Sequence, residues 1–276
     1  MHEQYWNPNG YEKVPHDVAS ATKSVGWMAL AHAALEGKLS LDTKVADYFP
    51  NLKSDPPYLL KQVMSMDGGL NHTACSGNNI SAWTMSSSGP GRGFDYTGLN
   101  SELAGAIFQK TTGMKYREYL GPRIFEPIGI KPDSWRWFGD SDGNSTDGCC
   151  SFHTAENLAR LGFLMLNNGS WDGKQLLDPM WVAEVPRPAR TWNSCGNYAQ
   201  FWWRKPIDGV PTDAYWAWGG GGNFIAVVPS LDLVVILLHA GQLSQWTPPT
   251  TFQTWDGKQF FPKVGDSSLD PIYVLV

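Results

Sequence analysis

The sequence predicts an α+β fold in which helices come first and an antiparallel sheet follows. Before residue 190, apolar residues recur at helical spacing in several segments, most clearly in 154–166. After residue 190 the apolar segments become short, aromatic or β-branched, and turn residues separate them. Strands and helices do not alternate, so this order favours an antiparallel sheet packed with helices over a parallel sheet.

The helical pattern marks five segments. Asp17 can cap the first helix, at about 18–36, and Gly37 ends it. The other four segments are 59–66, 100–109, 116–119 and 154–166. Residues 70–93 are rich in Gly, Ser and Asn, so we predict a long loop there.

The strand pattern marks four segments near the end of the chain, namely 198–205, 214–218, 223–228 and 233–239. Residues 229–232 form a compact turn signal, which predicts that the last two strands make an antiparallel hairpin. Prolines after residue 241 exclude a helix across the tail, and residues 272–276 can add an edge strand.

Composition excludes several classes of function. The chain has 276 residues, is 42% hydrophobic and carries a net charge of −5, which argues against a nucleic-acid partner. Pro229 and Asp232 interrupt the longest apolar stretch, so it falls short of the ~18 residues that a membrane span needs. The first residues lack the apolar segment of a signal peptide.

The cysteines predict neither a metal site nor a cofactor, because their spacing fits no zinc pattern. They are Cys75, Cys149, Cys150 and Cys195, and spacing alone does not decide their pairing. Four N-x-S/T sequons, at Asn71, Asn79, Asn144 and Asn168, suit a secreted protein. Together these features favour a secreted or periplasmic protein with one disulfide.

Ser20 and Lys23 form an S-x-x-K motif at the start of the first predicted helix. Side chains three residues apart share a helix face, so the hydroxyl and the amine can touch. The positive end of the helix disfavours an ammonium and lowers the pKa of Lys23, while the Ser20 N–H can face an oxyanion. A serine beside a deprotonated lysine is a known arrangement for acyl transfer. Only two residues are fixed, so a solvated first helical turn would carry the same pattern.

A rival nucleophile, Ser141, lies in the literal G-x-S-x-G of residues 139–143. With Asp232 and His239 it has the chain order of an α/β-hydrolase triad. Such a serine must follow a buried strand and lead directly into a helix, but a polar segment follows here. This context favours a hydrophilic loop.

Tyr96 lies directly before the helix predicted at 100–109. An isolated tyrosine at such a junction is by default a core anchor. Near Ser20 and Lys23, its phenol could instead shuttle a proton to a leaving group.

Four glycines open the strand predicted at 223–228. The segment is Trp218, Gly219, Gly220, Gly221 and Gly222. Glycines let the backbone approach a substrate closely and present an N–H to a carbonyl oxygen. They are also typical of a flexible segment without a role in binding. A strand follows rather than a helix, so this is not a phosphate loop.

The order S-x-x-K, tyrosine, glycine-rich strand resembles the serine β-lactamase/penicillin-binding-protein superfamily. It is most similar to the class C-like branch, with the family VIII carboxylesterases and the 6-aminohexanoate-oligomer hydrolases. Connecting segments over about 16–240 are similar too, including FDYTGLNSELAGAIFQKTTG and SFHTAENLARLGFLMLNNGSWDGKQLLDPMWV. The resemblance implies a single β-lactamase-like domain over 1–276, with a mainly helical lobe at about 37–190 and a sheet lobe at about 1–36 and 191–276. Only 19 residues precede Ser20, so N-terminal strands are expected to be missing.

The resemblance also implies roles for the residues that match its motifs. Ser20 would be the acylated nucleophile, Lys23 its base and Tyr96 a second general acid/base. The oxyanion hole would use the Ser20 N–H and one N–H from the strand of Trp218, Gly219, Gly220 and Gly221. No cofactor is implied, and the oligomeric state stays open.

Two departures narrow the expected substrate to small esters or amides. Gly98 replaces the asparagine of the family's Y-x-N, and uncharged Trp218 replaces the cation of K-T-G. Both changes favour an esterase or small-amide hydrolase. The alternatives are β-lactamase or D-Ala-D-Ala carboxypeptidase activity, a binding protein of the same fold without turnover, or an unrelated scaffold in which the motifs coincide.

Overall fold

The computed structural model describes residues 2–4, 13–71, 79–91, 93–138, 147–187, 191–192, 196–204, 209–238, 252–255, 259–262 and 272–275. Within these ranges there are six α-helices. They are α1 Thr22–Leu35, α2 Leu60–Met64, α3 Gly98–Thr112, α4 Tyr116–Leu120, α5 Ala155–Leu166 and α6 Pro179–Glu184.

The strands, in chain order, are β1 His2–Gln4, β2 His16–Asp17, β3 Gly68–Leu70, β4 Met85–Pro90, β5 Trp135–Trp137, β6 Ser151–His153, β7 Ser170–Trp171, β8 Lys174–Gln175, β9 Thr191–Trp192, β10 Gly196–Ala199, β11 Trp202–Arg204, β12 Tyr215–Gly219, β13 Asn223–Val228, β14 Leu233–Leu238, β15 Phe252–Trp255, β16 Gln259–Pro262 and β17 Ile272–Leu275. In the described ranges, eight of them form one antiparallel sheet in the order β1-β17-β14-β13-β12-β11-β10-β9. The fold is therefore α+β with an antiparallel sheet and packed helices, as the sequence predicts.

The central sheet packs against α5 on one face. Leu158, Leu161 and Leu164 of α5 are fully buried, and the helix contacts β13 and β14. Gly162 of α5 comes so close to Val234 that a Cβ there would lie 2.5 Å from its Cγ1. This close approach holds the helix tightly against β14.

The helix predicted at 18–36 is confirmed from Thr22 to Leu35, but its start differs. A 3-10 turn, Ala19–Ala21, precedes α1. Asp17 does not cap α1, because its Oδ1 accepts from the N–H of Ala19 at 2.8 Å and so stabilises the 3-10 turn. α5 has a side-chain cap, since Thr154 Oγ1 accepts from the Asn157 N–H at 3.2 Å.

Two corrections concern strands that lack a clear hydrophobic pattern. β4 lies in the region predicted as a loop, and it pairs with β3 although its sequence, MSSSGP, does not alternate apolar and polar residues. The strand predicted at 198–205 is two strands, β10 and β11. Gln200 and Phe201 turn the chain between them with φ of 55° and 64°, a conformation in which glycine is the usual signal.

The ends of the sheet also differ from expectation. β17 confirms a strand within 272–276, but it lies between β14 and β1 and is not an edge. β1 is an N-terminal strand of the sheet, although N-terminal strands were expected to be missing. Its three residues, HEQ, are all polar, so no strand pattern marks them in the sequence.

Several predicted features lie outside the described residues. These are Cys75, Cys195, Asn144, His239 and the G-x-S-x-G of residues 139–143 with Ser141. Cys149 and Cys150 form a disulfide with each other, a pairing that spacing alone left open. No helix in the described ranges is long and apolar enough to cross a membrane.

Candidate active site

Ser20 lies in the 3-10 turn at the start of α1, where neighbouring segments hold the backbone in an uncommon shape. Ala19 has a φ of 46°, in the left-handed region that a residue with a Cβ rarely adopts. The Asp17 carboxylate holds the Ala19 N–H, and the Val18 N–H donates to the carbonyl of Ser151 at 3.0 Å. The position of Ser20 is therefore fixed on its N-terminal side.

Lys23 contacts Ser20 directly, as the S-x-x-K spacing predicts. Its Nζ lies 3.1 Å from Ser20 Oγ and donates to the carbonyl oxygen of Gly148 at 2.7 Å. The side chain is 4% exposed. Burial lowers the pKa of Lys23 to about 8, while the negative charge of Glu102 opposes this shift. A useful fraction of Lys23 is therefore neutral near pH 8, and the neutral amine can accept a proton.

Tyr96 lies beside both residues. The Nζ of Lys23 lies 5.1 Å from the Tyr96 ring centroid, and the Tyr96 side chain is hydrogen-bonded to that of Ser20. Although 38% of Tyr96 is exposed, burial of its hydroxyl raises its pKa, and the bond to Ser20 partly counters this. The structure thus brings together all three side chains that the sequence singled out.

The glycine-rich strand passes directly beneath the Ser20 turn. A Cβ on Gly219 would clash with the carbonyl of Val18 and lie 3.2 Å from the Ala21 nitrogen. Asn223 ties the two segments together, since its Nδ2 donates to the carbonyls of Asp17 at 3.2 Å and Gly220 at 2.9 Å. The end of β12 is therefore in place beside Ser20, with Gly221 in the left-handed turn that follows at φ 83°.

An aromatic wall lines the space between Tyr96 and Trp218. It consists of Phe94, Tyr96, Tyr198, Trp203 and Trp218. The rings of Tyr96 and Trp203 stack, with centroids 5.3 Å apart and planes at 29°, and the Trp203 and Trp218 centroids are 5.4 Å apart. Tyr198 and Trp203 are buried behind this wall, and its partly exposed members are Phe94, Tyr96 and Trp218.

Sequence reasoning missed two groups that act on Lys23. The Gly148 carbonyl accepts its hydrogen bond across 125 positions of the chain, and no residue type marks a carbonyl acceptor in a sequence. Glu102, on α3, provides the opposing charge. Its place six residues after Tyr96, on the helix of that motif, was the available signal.

Among the described residues, no cluster of three or more His, Cys, Asp or Glu side chains is placed to hold a metal ion. The arrangement around Ser20 instead offers a hydroxyl, an amine of lowered pKa and a phenol in mutual contact. These are groups that can move protons during acyl transfer.

Two curated proteins are similar to this chain at low sequence identity. The chain is 26% identical over 181 residues to the 6-aminohexanoate-dimer hydrolase of Paenarthrobacter ureafaciens. This alignment covers 60% of this chain and 42% of the relative. The chain is 24% identical over 139 residues to Protein flp of Staphylococcus aureus (strain MW2), covering 44% of this chain and 28% of the relative. The chain thus spans less than half the length of these relatives.

Solved structures show the same fold. A penicillin-binding protein homologue from Caulobacter crescentus superposes with a TM-score of 0.67 at 17% identity, covering 82% of this chain and 76% of that one. A family VIII carboxylesterase superposes with a TM-score of 0.65 at 15% identity, covering 79% of this chain and 75% of that one. The sequence profile of the beta-lactamase family matches residues 11–250. This chain belongs to the beta-lactamase family.

Proposed function

We propose that this protein is a serine hydrolase that forms an acyl-enzyme at Ser20 and hydrolyses small esters or amides. The observation that carries the proposal is the contact between Lys23 Nζ and Ser20 Oγ at 3.1 Å. Burial lowers the pKa of this lysine to about 8, so its neutral form is accessible near neutral pH. A lysine that served only as a surface charge would stay solvated instead.

In the proposed mechanism, neutral Lys23 accepts the proton of the Ser20 hydroxyl while Oγ attacks the carbonyl carbon of the substrate. The carbonyl oxygen becomes an oxyanion, which the Ser20 N–H and one N–H of residues 218–221 stabilise. Lys23 and Tyr96 then pass the proton to the leaving alcohol or amine, and the acyl-enzyme remains. A water molecule next attacks the ester carbonyl and gives a proton to the same relay, which returns it to Ser20 Oγ as the bond to the acyl group breaks and the acid leaves.

The surroundings of Ser20 support an uncharged substrate. The aromatic wall faces the site, and Trp218 stands where the resemblance to penicillin-recognising proteins would place a cation. The relatives include a 6-aminohexanoate-dimer hydrolase and a family VIII carboxylesterase, which fits an amide or ester bond. β-Lactamase or D-Ala-D-Ala carboxypeptidase activity and binding without turnover remain as outcomes of the test.

The first experiment uses a fluorophosphonate probe, which modifies activated serines. We expect labelling of the native protein at Ser20, complete loss in Ser20→Ala and strong slowing in Lys23→Ala. Lys61→Ala is the matched control, because its Nζ pairs with Asp42 at the surface at 2.7 Å. A folded native protein that takes no label would contradict turnover and leave a binding protein.

The second experiment compares substrates. A panel of p-nitrophenyl esters and anilides is assayed beside a chromogenic cephalosporin. Hydrolysis of the esters or anilides alone supports the proposal, and preferential hydrolysis of the cephalosporin would replace it with a β-lactamase. Tyr96→Phe should lower kcat, whereas Tyr48→Phe, which removes a hydroxyl that Thr111 contacts, should not.

A further inference from the structure

A cavity lies along one face of α3, and its described lining residues do not include Ser20, Lys23 or Tyr96. Its volume is about 480 Å³, within the range of small-molecule sites. Glu102 and Gly105 of α3 line it, and so do Tyr116 of α4 and Asp147. The rim includes Lys110, which is exposed and lies over the ring of Phe49 at 4.7 Å.

The floor of this cavity holds two buried polar groups. Asp147 is 7% exposed and Tyr116 is 3% exposed. Within the described part of the chain, no protein atom hydrogen-bonds to Asp147 Oδ1 or to the Tyr116 hydroxyl. Buried polar atoms usually have a partner, because leaving one unpaired costs about 1–3 kcal/mol. Both residues line the cavity, so a ligand there lies against them, and a small rotation of either side chain would bring its unpaired oxygen to the ligand.

The backbone of α3 makes room for the carboxylate. A Cβ on Gly105 would clash with Asp147 Oδ2. Only glycine at this position therefore lets the carboxylate lie against the helix, where both residues line the cavity.

Two acids, Glu102 and Asp147, and two lysines, Lys110 and Lys115, line the cavity, and at Asp147 the negative charge of Glu102 outweighs the positive charge of Lys115. Burial and the nearby charge of Glu102 both raise the pKa of Asp147, and Lys115 only partly offsets them. A second positive charge at the floor would stabilise the Asp147 carboxylate. A primary ammonium supplies this charge together with three N–H donors, and Asp147 Oδ1 and the Tyr116 oxygen are acceptors.

We propose that this cavity binds a small organic molecule that carries a primary ammonium group, with Asp147 as its counter-ion. The ammonium lies at the floor between Asp147 and Tyr116, and the rest of the molecule extends towards the rim at Lys110. Glu102 faces both this cavity and Lys23, so a cation bound here weakens the charge effect that Glu102 exerts on Lys23. The site is thus placed to modulate the chemistry at Ser20 without occupying it.

The test titrates the protein with pentylamine and, as a neutral control of the same size, pentan-1-ol, using protein-observed NMR. We expect saturable binding of pentylamine, at least tenfold tighter than that of pentan-1-ol. Asp147→Asn should weaken pentylamine binding at least tenfold. Equal binding of amine and alcohol, no saturable binding of the amine, or unchanged binding to Asp147→Asn would overturn the proposal.

Two further variants keep the test independent of folding and of the proposed hydrolase. Gly105→Ala should abolish binding, whereas Gly98→Ala, on the same helix with open space around its Cβ, should not. Ser20→Ala should bind pentylamine as the native protein does. Loss of binding in Ser20→Ala would place the amine at the catalytic serine and overturn the second site.

Discussion

Gly219 lies directly against the carbonyl of Val18, with no room for a side chain between them. This contact joins β12 to the turn that carries Ser20. We expect Gly219→Ala to lower the free energy of unfolding by about 1–3 kcal/mol, the usual cost of overpacking, and to slow fluorophosphonate labelling at Ser20. Urea unfolding and labelling rates measure the two effects.

The control for this change is Gly220→Ala. Its Cβ would meet only the Cβ of Ala19, at 3.9 Å, which is ordinary van der Waals contact. Its stability should therefore stay close to that of the native protein. Equal stability losses in the two variants would show that the contact with Val18 is not the cause.

The pH dependence of hydrolysis should report Lys23. Since its neutral form is the base, kcat/KM should rise with pH and level off above a midpoint near 8. The Glu102 carboxylate favours the charged form, so Glu102→Gln should move this midpoint to lower pH. A pH profile of ester hydrolysis measures the shift, and Glu126→Gln, at an exposed position, should leave it in place. A midpoint that Glu102→Gln leaves unchanged would mean that a group other than Lys23 limits the rate.

The aromatic wall should select substrates through Trp203. Trp203→Ala removes the ring that stacks on Tyr96, so KM for aryl esters should rise severalfold, equivalent to about 1 kcal/mol. Because Trp203 is itself buried, Trp203→Phe is needed as well, and it should recover most of the affinity. Trp171→Ala, which removes a ring in contact with Phe163, is the control elsewhere in the fold. Equal KM values for aryl and short alkyl esters in all three variants would exclude the wall from substrate binding.

His153 should make stability depend on pH in the acid range. Neither ring nitrogen has a hydrogen-bond partner within the described ranges, and the ring packs edge-on against Phe125 with centroids 5.7 Å apart. Burial lowers the pKa of His153 from 6.5 to about 3. Below pH 6.5 the unfolded chain therefore binds a proton that the folded protein does not, so stability falls as pH drops towards 3.

His153→Phe removes this titration and keeps an aromatic ring in place. The free energy of unfolding of the variant should fall less between pH 7 and pH 5 than that of the native protein, by about 1 to 2 kcal/mol. Urea unfolding at the two pH values measures the difference. Parallel losses in both proteins would show that the acid sensitivity arises elsewhere.

Local pattern was sufficient for α1 to α5 and for the central hairpin, but α6 was not predicted. α5 is strongly periodic and carries its own cap at Thr154, and β13 and β14 are β-branched segments joined by a four-residue turn. β4 could not be predicted in the same way, because its sequence does not alternate and its pairing with β3 is irregular, with Met85 and Pro90 as the registered partners. The turn at Gln200 and Phe201 could not be predicted either, because both residues have left-handed φ values although neither is glycine.

In the candidate site, too, contacts between residues close in sequence could be predicted and contacts between distant segments could not. Ser20 and Lys23 are neighbours on a helix, so the sequence places them together, and the order of motifs adds Tyr96. The Gly148 carbonyl, Glu102 and the stacking of Trp203 on Tyr96 arise only when distant segments meet. A pattern within one segment contains no information about such contacts, and they require the folded chain.

The left-handed turn at Ala19 has a thermodynamic consequence for substrate binding. Asp17 holds its N–H from one side and Gly219 packs beneath Val18 on the other, so folding itself orients the nucleophile. The conformational entropy of the Ser20 loop is then lost once, when the chain folds, rather than anew at every encounter with a substrate. Association with a substrate should therefore show little ordering of this turn, and its backbone amides should have high NMR order parameters before any ligand arrives.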